Sequence, residues 1–250
     1  MTDDQKYIYG IHTCNAQLRL DPQSIEILYL KNTSHSKQIL KIIDNCKLVG
    51  INIVQLDKDQ LTLMCLSSKH QGIVMKLSSN NYSGFDLDLY LQKESSPFIV
   101  IFDSLQDPRN LGSCIRSANA AGVELVIKRK SNSCEISPLV HKTASGGLQG
   151  LSLFETNNIL SIIKKLKKNN IMIIGTADTG SKSIYNLDGI NGAGIAVIIG
   201  AEGEGISKSL LDACDTVCSI PIYGTVECLN VAVATGITLY HIKKLLKKIE

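Results

Sequence analysis

The order of apolar and polar positions along the chain predicts two successive α/β units. In residues 6–78, short apolar runs are typical of strands, and apolar residues at helical spacing predict helices around them. The predicted strands are 25–30, 51–55 and 72–77, and the predicted helices are 11–18, 36–48 and 57–66. The alternation predicts a small α/β unit of fewer than eighty residues.

The same alternation returns on a larger scale after residue 97. The predicted strands are 98–102, 125–127, 171–174 and 195–199, and the predicted helices are 111–121, 137–147, 157–168 and 229–249. Strands that alternate with helices favour a mostly parallel sheet covered on both faces. Residues 79–96 are richer in polar side chains and are interpreted as a linker. The predicted domains are therefore 1–78 and 97–250, joined by 79–96.

Composition narrows the class of protein without identifying it. The 250 residues are 44% hydrophobic and 20% charged, which is typical of a globular protein with a real core. Residues 1–6 are polar, which argues against a signal peptide, and no apolar run has the length of a membrane span. The eight cysteines contain no C-x-x-C pair and the five histidines lie far apart, so we expect reduced thiols in a cytoplasm and no metal site.

Two glycine loops resemble nucleotide-binding motifs but depart from both. Residues 175–182 (GTADTGSK) place Ser181 before Lys182, whereas a P-loop needs the lysine directly after the glycine. Residues 200–205 (GAEGEG) are not G-x-G-x-x-G, and their two carboxylates would repel a pyrophosphate. The second loop suits a ligand that carries positive charge or offers hydrogen-bond donors.

Two further stretches combine small residues with polar ones. In residues 103–122, Pro108 and Asn110 mark the turn into a helix, with Asn110 a candidate cap, and Arg116 lies within that helix. Such an arginine is often a solvated surface residue, but a guanidinium is also the preferred group for binding phosphate. In residues 219–236, a turn leads into a helix whose first residues have small side chains. The stretch is either a buried turn before the helix or a place where a flat ligand can approach the helix backbone.

Three segments together resemble the motifs of a known enzyme family. Residues 110–116 (NLGSCIR), 199–205 (IGAEGEG), and 219–222 (SIPI) with 229–236 (LNVAVATG) resemble, in order and separation, the three motifs of the SpoU (TrmH-like) 2'-O-ribose methyltransferases. Residues 8–12 (IYGIH) and 70–73 (HQGI) resemble the small RNA-binding domain of the RlmB branch of that family. The resemblance covers nearly the whole chain.

The resemblance implies a fold and an activity. It implies a C-terminal domain with a parallel sheet and a trefoil knot, preceded by an L30e-like α/β domain that binds RNA. It also implies a homodimer that forms through the knotted domain, and S-adenosyl-L-methionine as the cofactor. The implied substrate is a guanosine ribose 2'-hydroxyl in 23S ribosomal RNA, in the cytoplasm, with neither a metal nor a membrane involved.

The resemblance also assigns roles to individual residues. Gly200, Ile220 and Leu229 are expected to line the cofactor pocket, largely through backbone groups. Glu202 and Asn230 are expected to fix the reacting end, while Asn110 and Arg116 lie near the target ribose and its phosphate. For Arg116 two roles stay open, a general base or a phosphate clamp, because a guanidinium rarely releases its proton. The family usually has serine where this chain has Cys228.

Two alternative functions remain at this stage. One is the same chemistry on transfer RNA, which the N-terminal unit disfavours because relatives that act on transfer RNA typically have a single domain. The other is a catalytically silent RNA-binding relative. The presence of all four polar residues, Asn110, Arg116, Glu202 and Asn230, argues against a silent protein.

Overall fold

The computed structural model describes residues 6–33, 36–78, 85–187 and 194–246, and these residues form two separate sheets. The elements of the first sheet and its helices are β1 (Lys6–Tyr9), α1 (Ile11–Leu20), β2 (Ile25–Lys31), α2 (Lys37–Leu48), β3 (Asn52–Leu56), α3 (Lys58–Cys65) and β4 (Ile73–Leu77). The strand order is β1-β4-β2-β3. β4 is antiparallel to both of its neighbours, and β2 is parallel to β3.

The second sheet has seven strands, and every pair of neighbours in it is parallel. Its strands and associated helices are α4 (Leu87–Lys93), β5 (Phe98–Phe102), α5 (Pro108–Ala120), β6 (Leu125–Arg129), α6 (Pro138–Ala144), β7 (Ser152–Thr156), α7 (Ile159–Lys168), β8 (Ile171–Thr176), β9 (Lys182–Ser183), β10 (Gly194–Ile199), α8 (Lys208–Leu211), β11 (Thr216–Ser219) and α9 (Val231–Leu246). The strand order is β7-β6-β5-β10-β8-β11-β9, which confirms the prediction of a parallel sheet.

Helices cover both faces of the second sheet. Buried side chains of α5, α6 and α9 pack on one face, and those of α4, α7 and α8 pack on the other. Every residue of β5 and β10 is buried as a result. This two-sided burial explains why these strands read as continuous apolar runs rather than as alternating patterns.

The segment interpreted as a linker contains a packed helix. Asp86 caps α4 by accepting hydrogen bonds from the Asp88 and Leu89 amides. Leu87 and Leu91, one helical turn apart, are buried against the second sheet. The local polar composition concealed this short amphipathic turn. Residues 79–84 of the same stretch lie outside the described residues.

Three local predictions differ from the structure. Asn110 does not cap α5; Asp107 does, by accepting a hydrogen bond from the Arg109 amide at 2.6 Å, and Asn110 is the third helical residue. The sequence pattern also missed β1, β7, the two-residue strand β9 and the four-residue helix α8. The closing helix begins at Val231 rather than at residue 229, and its predicted residues 247–249 lie outside the described residues.

Helix α5 packs unusually close to α6. A Cβ placed on Gly112 would lie 2.7 Å from Thr143 Cβ and 2.8 Å from the Val140 carbonyl oxygen. A Cβ on Gly147, just after α6, would lie 2.9 Å from Arg116 Cα. These two glycines therefore let the turn after α6 and the middle of α5 touch backbone to backbone.

Candidate functional site

Three of the four polar residues expected at the site meet in the folded chain. The Asn230 side-chain Nδ2 donates to Asn110 Oδ1 at 3.2 Å and to Glu202 Oε1 at 3.0 Å. Asn230 is 120 residues from Asn110 along the chain and 28 from Glu202. The cluster joins the first turn of α5, the loop after β10 and the start of α9.

The side-chain nitrogen of Asn230 is directed towards Asn110 and Glu202 because the side-chain oxygen is held by the backbone of α9. Its Oδ1 accepts a hydrogen bond from the Ala232 amide at 2.9 Å, as an asparagine does at the start of a helix. The amide nitrogen on the opposite side then points away from α9 towards Asn110 and Glu202. A capping side chain thus also becomes the centre of the polar cluster.

The loop that carries Glu202 is closed by its own backbone. The Ala201 amide donates to the Gly205 carbonyl at 3.1 Å, and the Gly205 amide donates to the Ala201 carbonyl at 3.0 Å. A Cβ on Gly200 would lie only 2.1 Å from the Gly205 carbonyl carbon, so only glycine fits there. Gly203, at the loop tip, has a positive φ of 82°. The tight loop presents the exposed carboxylate of Glu202 at its tip.

A buried carboxylate, which the sequence analysis missed, anchors this loop. Asp103 is 2% exposed and directly follows β5. Its Oδ1 lies 2.5 Å from Arg129 Nε, and its Oδ2 accepts a hydrogen bond from the Ser207 amide at 3.2 Å. A charged residue that ends a fully apolar strand was the available signal for this role.

The basic run 128–130 (KRK) does not form a free positive patch. Lys128 is 1% exposed, and its Nζ lies 2.8 Å from Glu155 Oε1. Arg129 is paired with Asp103. Two of the three positive charges in this run are therefore compensated inside the structure.

Arg116 lies on α5 but does not join the polar cluster. Its side chain is exposed and makes no hydrogen bond or ion pair with any described residue. Its backbone packs against Gly147. The helix is therefore held firmly at this point, while the guanidinium remains available to a ligand.

The other expected site residues flank an open stretch of backbone. Ile220 is half-buried against the core on the side of α9, and Leu229 is half-buried just before Asn230. Among the described residues, no backbone–backbone hydrogen bond involves residues 220–229. These N–H and C=O groups can therefore serve a flat heterocyclic ligand that has its own donors and acceptors.

The glycines of the loop that resembles a P-loop have a packing role. A Cβ on Gly175 would lie 2.8 Å from Cys214 Sγ, and one on Gly180 would lie 2.4 Å from the Cys218 carbonyl carbon. Because both glycines lack a side chain, β11 and the segment before it can pack directly against them. This close approach accounts for them without a bound phosphate.

The cysteines and the metal-binding side chains offer no alternative chemistry among the described residues. Burial raises the pKa of the Cys114 thiol to about 11, so this thiol beside Thr235 stays protonated. Cys228 is exposed, so packing within the described chain does not restrict its size.

No group of His, Cys, Asp or Glu in the described ranges could hold a metal ion. None of the helices within these ranges combines the length and apolarity needed to cross a bilayer.

Comparison with known proteins agrees across both parts of the chain. Residues 97–240 match the SpoU rRNA Methylase family, and residues 7–83 match a family described as RNA 2'-O ribose methyltransferase substrate binding. The 23S rRNA (guanosine-2'-O-)-methyltransferase RlmB of Shewanella oneidensis is 36% identical over 238 residues, which cover 95% of this chain and 96% of that protein. RlmB of Haemophilus ducreyi is 34% identical over 237 residues, 94% and 96% of the two chains.

A solved structure has the same fold over almost the full length. The SpoU methyltransferase AviRb from Streptomyces viridochromogenes, in complex with the cofactor AdoMet, aligns with a TM-score of 0.79. The alignment covers 98% of this chain and 91% of that one at 21% sequence identity. At this identity the likeness shows the fold.

The anchoring role of Asp103 can be tested by unfolding in urea. Asp103→Ala should lower the free energy of unfolding by about 3 kcal/mol, because it leaves Arg129 and the Ser207 amide without their partner. Ser104→Ala is the control, since Ser104 donates only one hydrogen bond to the same carboxylate, at 3.2 Å. This control should cost less than about 1 kcal/mol. Equal stabilities for the two variants would contradict the role of Asp103.

Proposed function

Because this chain belongs to the SpoU rRNA methylase family, we propose that the cluster of Asn110, Glu202 and Asn230 is its catalytic centre. The protein is an RNA 2'-O-ribose methyltransferase that uses S-adenosyl-L-methionine to methylate a guanosine ribose in 23S ribosomal RNA. The observation that carries the proposal for the site is the pair of hydrogen bonds from Asn230 to Asn110 and Glu202.

The residues around the cluster fit the cofactor. The unpaired backbone groups of 220–229 match the donors and acceptors of an adenine edge, with Gly200, Ile220 and Leu229 around it. S-adenosyl-L-methionine, when bound, supplies a methyl group on a positively charged sulfonium. The Glu202 carboxylate is suited to that charge, since opposite charges 4 Å apart attract by about 1 kcal/mol in water and about 4 kcal/mol at a protein surface.

Asn230 and Asn110 position the reacting groups in this proposal. Asn230 holds the Glu202 carboxylate by one hydrogen bond, so the negative charge has a defined place. Its second hydrogen bond ties the first turn of α5 to the same point. Alignment of the ribose oxygen with the methyl group supplies much of the rate in a displacement of this kind.

We assign Arg116 to the phosphate next to the target ribose. Its guanidinium is exposed and unpaired among the described residues, and it stays protonated, which disfavours a role as general base. A fixed positive charge at the phosphate makes the neighbouring 2'-hydroxyl easier to deprotonate. The proton then leaves to the phosphate or to water.

The N-terminal unit supports ribosomal RNA as the substrate. Residues 7–83 match a substrate-binding family, and the RlmB relatives cover nearly the full length of this chain. The transfer-RNA alternative has no comparable support. The intact polar cluster likewise disfavours the catalytically silent alternative.

We assign residues 1–78 to substrate binding and residues 97–250 to methyl transfer, with α4 packed on the transfer unit. A trefoil knot is supported by the passage of the chain from β8 on one side of β11 to β9 on the other, in which a Cβ on Gly180 would lie 2.4 Å from the Cys218 carbonyl carbon. Residues 188–193, part of the chain that would close this loop, lie outside the described residues. A crystal structure that traces the backbone from 183 to 194 decides whether α9 is threaded.

The ribosomal RNA substrate argues for a cytoplasmic enzyme.

Exposed apolar side chains on α9 and on the loop before it support a homodimer. Tyr223 is 90% exposed, Val226 60% and Val233 51%. Large apolar side chains exposed on neighbouring segments of the chain are typical of a protein interface. A second copy of the chain is the proposed occupant.

Sedimentation equilibrium tests the dimer. The wild-type protein should be a dimer at micromolar concentration, and Val233→Glu should weaken the association at least about tenfold by placing a charge in the interface. Leu63→Glu is the matched control, because Leu63 is 73% exposed on α3, away from the proposed interface. A wild-type monomer would exclude the dimer.

Calorimetry and a methyl-transfer assay test the activity. The purified protein should bind S-adenosyl-L-methionine without added metal and should transfer its labelled methyl group to protein-free 23S ribosomal RNA. Mapping of 2'-O-methyl sites should find the label on a guanosine. A protein that binds RNA but not the cofactor would be the silent relative instead.

Substitution of Arg116 tests whether methyl transfer needs the arginine itself, as a phosphate clamp or a general base, or only a positive charge at this position. Arg116→Ala should reduce single-turnover methyl transfer by at least about a hundredfold, or ~2.7 kcal/mol of barrier, with cofactor binding nearly unchanged. Arg116→Lys keeps the charge and loses the planar fork, so it should remain strongly impaired. If lysine restores most of the activity, neither a bidentate phosphate contact nor a special arginine base is needed.

A further inference from the structure

The N-terminal unit contains a polar cavity of about 370 Å³ that the proposed function does not yet use. It opens between the end of β2, the starts of α2 and α3, and the turn before β4. Two lysines, one histidine and three hydroxyl side chains contribute to its lining: Lys31, Lys58, His70, Thr33, Ser36 and Ser68. Among the described residues that line it, none is a carboxylate.

The two lysines of this cavity are not held in ion pairs within the described part of the chain. Neither Lys31 nor Lys58 forms an ion pair with any described residue, whereas five other basic side chains of the chain do. The pKa of His70 is lowered, first by burial and then by the nearby charges of Lys58, Lys31 and Lys142. An electrostatic field of this sign favours an anion in the cavity.

His70 itself shapes the cavity rather than supplying charge. It is 2% exposed, its Nδ1 accepts a hydrogen bond from the Gly72 amide at 3.0 Å, and its Nε2 lies 3.3 Å from Thr62 Oγ1. With Nδ1 acting as an acceptor, the ring is the neutral tautomer that carries hydrogen on Nε2. The lysines and hydroxyl groups are therefore the groups left to contact a ligand.

The positive surface continues across the junction with the second unit. Lys142 on α6 donates to the Lys69 carbonyl at 3.0 Å, and its Nζ lies 5.0 Å from the centre of the Tyr9 ring. Burial, followed by the charge of Lys69, lowers the pKa of Lys142. Since α6 packs on α5, an RNA strand bound here reaches towards the helix that carries Arg116.

We propose that this cavity binds a backbone phosphate of the substrate RNA, between Lys31 and Lys58, and so helps to hold the RNA for methyl transfer. The proposal rests on the ribosomal-RNA methyltransferase function above. A phosphate fits better than a stacked base because no Phe, Tyr or Trp is among the described lining residues and the His70 ring is buried, whereas ammonium and hydroxyl donors match phosphate oxygens.

The sharpest test adds one negative charge without disturbing the fold. Ser36 caps α2, and its Oγ accepts a hydrogen bond from the Ile39 amide. Ser36→Asp keeps a good capping residue but repels a phosphate in the cavity. Gln38→Asp is the matched control, since Gln38 is exposed in the same helical turn and does not line the cavity.

The readout is filter binding of protein-free 23S ribosomal RNA, together with thermal unfolding. Ser36→Asp should bind RNA at least about fivefold more weakly than Gln38→Asp, with both melting temperatures close to that of the wild type. Equal affinities for the two aspartate variants would overturn the proposal.

Removal of the lysines gives an independent measure. Lys31→Gln with Lys58→Gln should reduce the magnitude of the slope of log affinity against log salt concentration by about 0.7, the loss of one phosphate contact on a single strand. The control, Lys41→Gln with Lys47→Gln, removes the same charge from exposed positions on α2 and should change the slope less. Calorimetric binding of S-adenosyl-L-methionine should be the same in both.

The two proposals fail in different ways. A wild-type protein that neither binds nor methylates 23S ribosomal RNA overturns the proposed function and the phosphate site with it. A wild-type protein that methylates the RNA, with cavity variants that match their controls, overturns the phosphate site alone.

Discussion

Burial of β5 and β10 on both faces is the constraint on which the rest of the structure depends. Helices cover each side of these strands, so their residues are all apolar and buried. Polar side chains can appear only where the strands leave the sheet, and the ends of parallel strands lie at one edge. Asp103 follows β5 there, and Gly200 and Glu202 follow β10. The buried Asp103 carboxylate then fixes the far side of the acidic loop through the Ser207 amide, so the sheet itself determines where the charge of the proposed catalytic cluster stands.

Helix α5 connects this edge to the N-terminal unit. Its first turn contributes Asn110, and its last turn reaches Gln149, whose carbonyl accepts a hydrogen bond from Asn119 Nδ2 at 3.0 Å. The Gln149 side chain in turn donates to Gln17 Oε1 on α1 at 2.7 Å, in a buried contact. A continuous path of packed groups therefore joins α1 to the helix that holds both Asn110 and Arg116. This packing fixes α1 relative to the helix that carries two of the proposed site residues.

The distribution of charge matters more than its sum. The net charge of +3 is too small to indicate a polyanion-binding protein, and within the basic run 128–130 Lys128 and Arg129 are paired with carboxylates. Unpaired lysines collect instead around the cavity of the N-terminal unit. In the proposed sites, negative charge for the sulfonium and positive charge for the RNA backbone are therefore kept on separate elements.

The sequence by itself determined the strands and helices whose formation depends on neighbouring residues, and its motifs determined the family. Continuous apolar runs predicted β5, β8 and β10, helical spacing predicted most helices, and three motifs identified the family before any contact was known. Only the tertiary structure decided what depends on distant partners. It showed that Asn230 bridges Asn110 and Glu202, that Asp103 binds Arg129, and that α4 packs on the sheet. Capping showed the same limit, since Asp107 and Asn110 are both good caps and only the path of the backbone selects one. Local propensity acts within a few residues, whereas these contacts join side chains up to 120 residues apart.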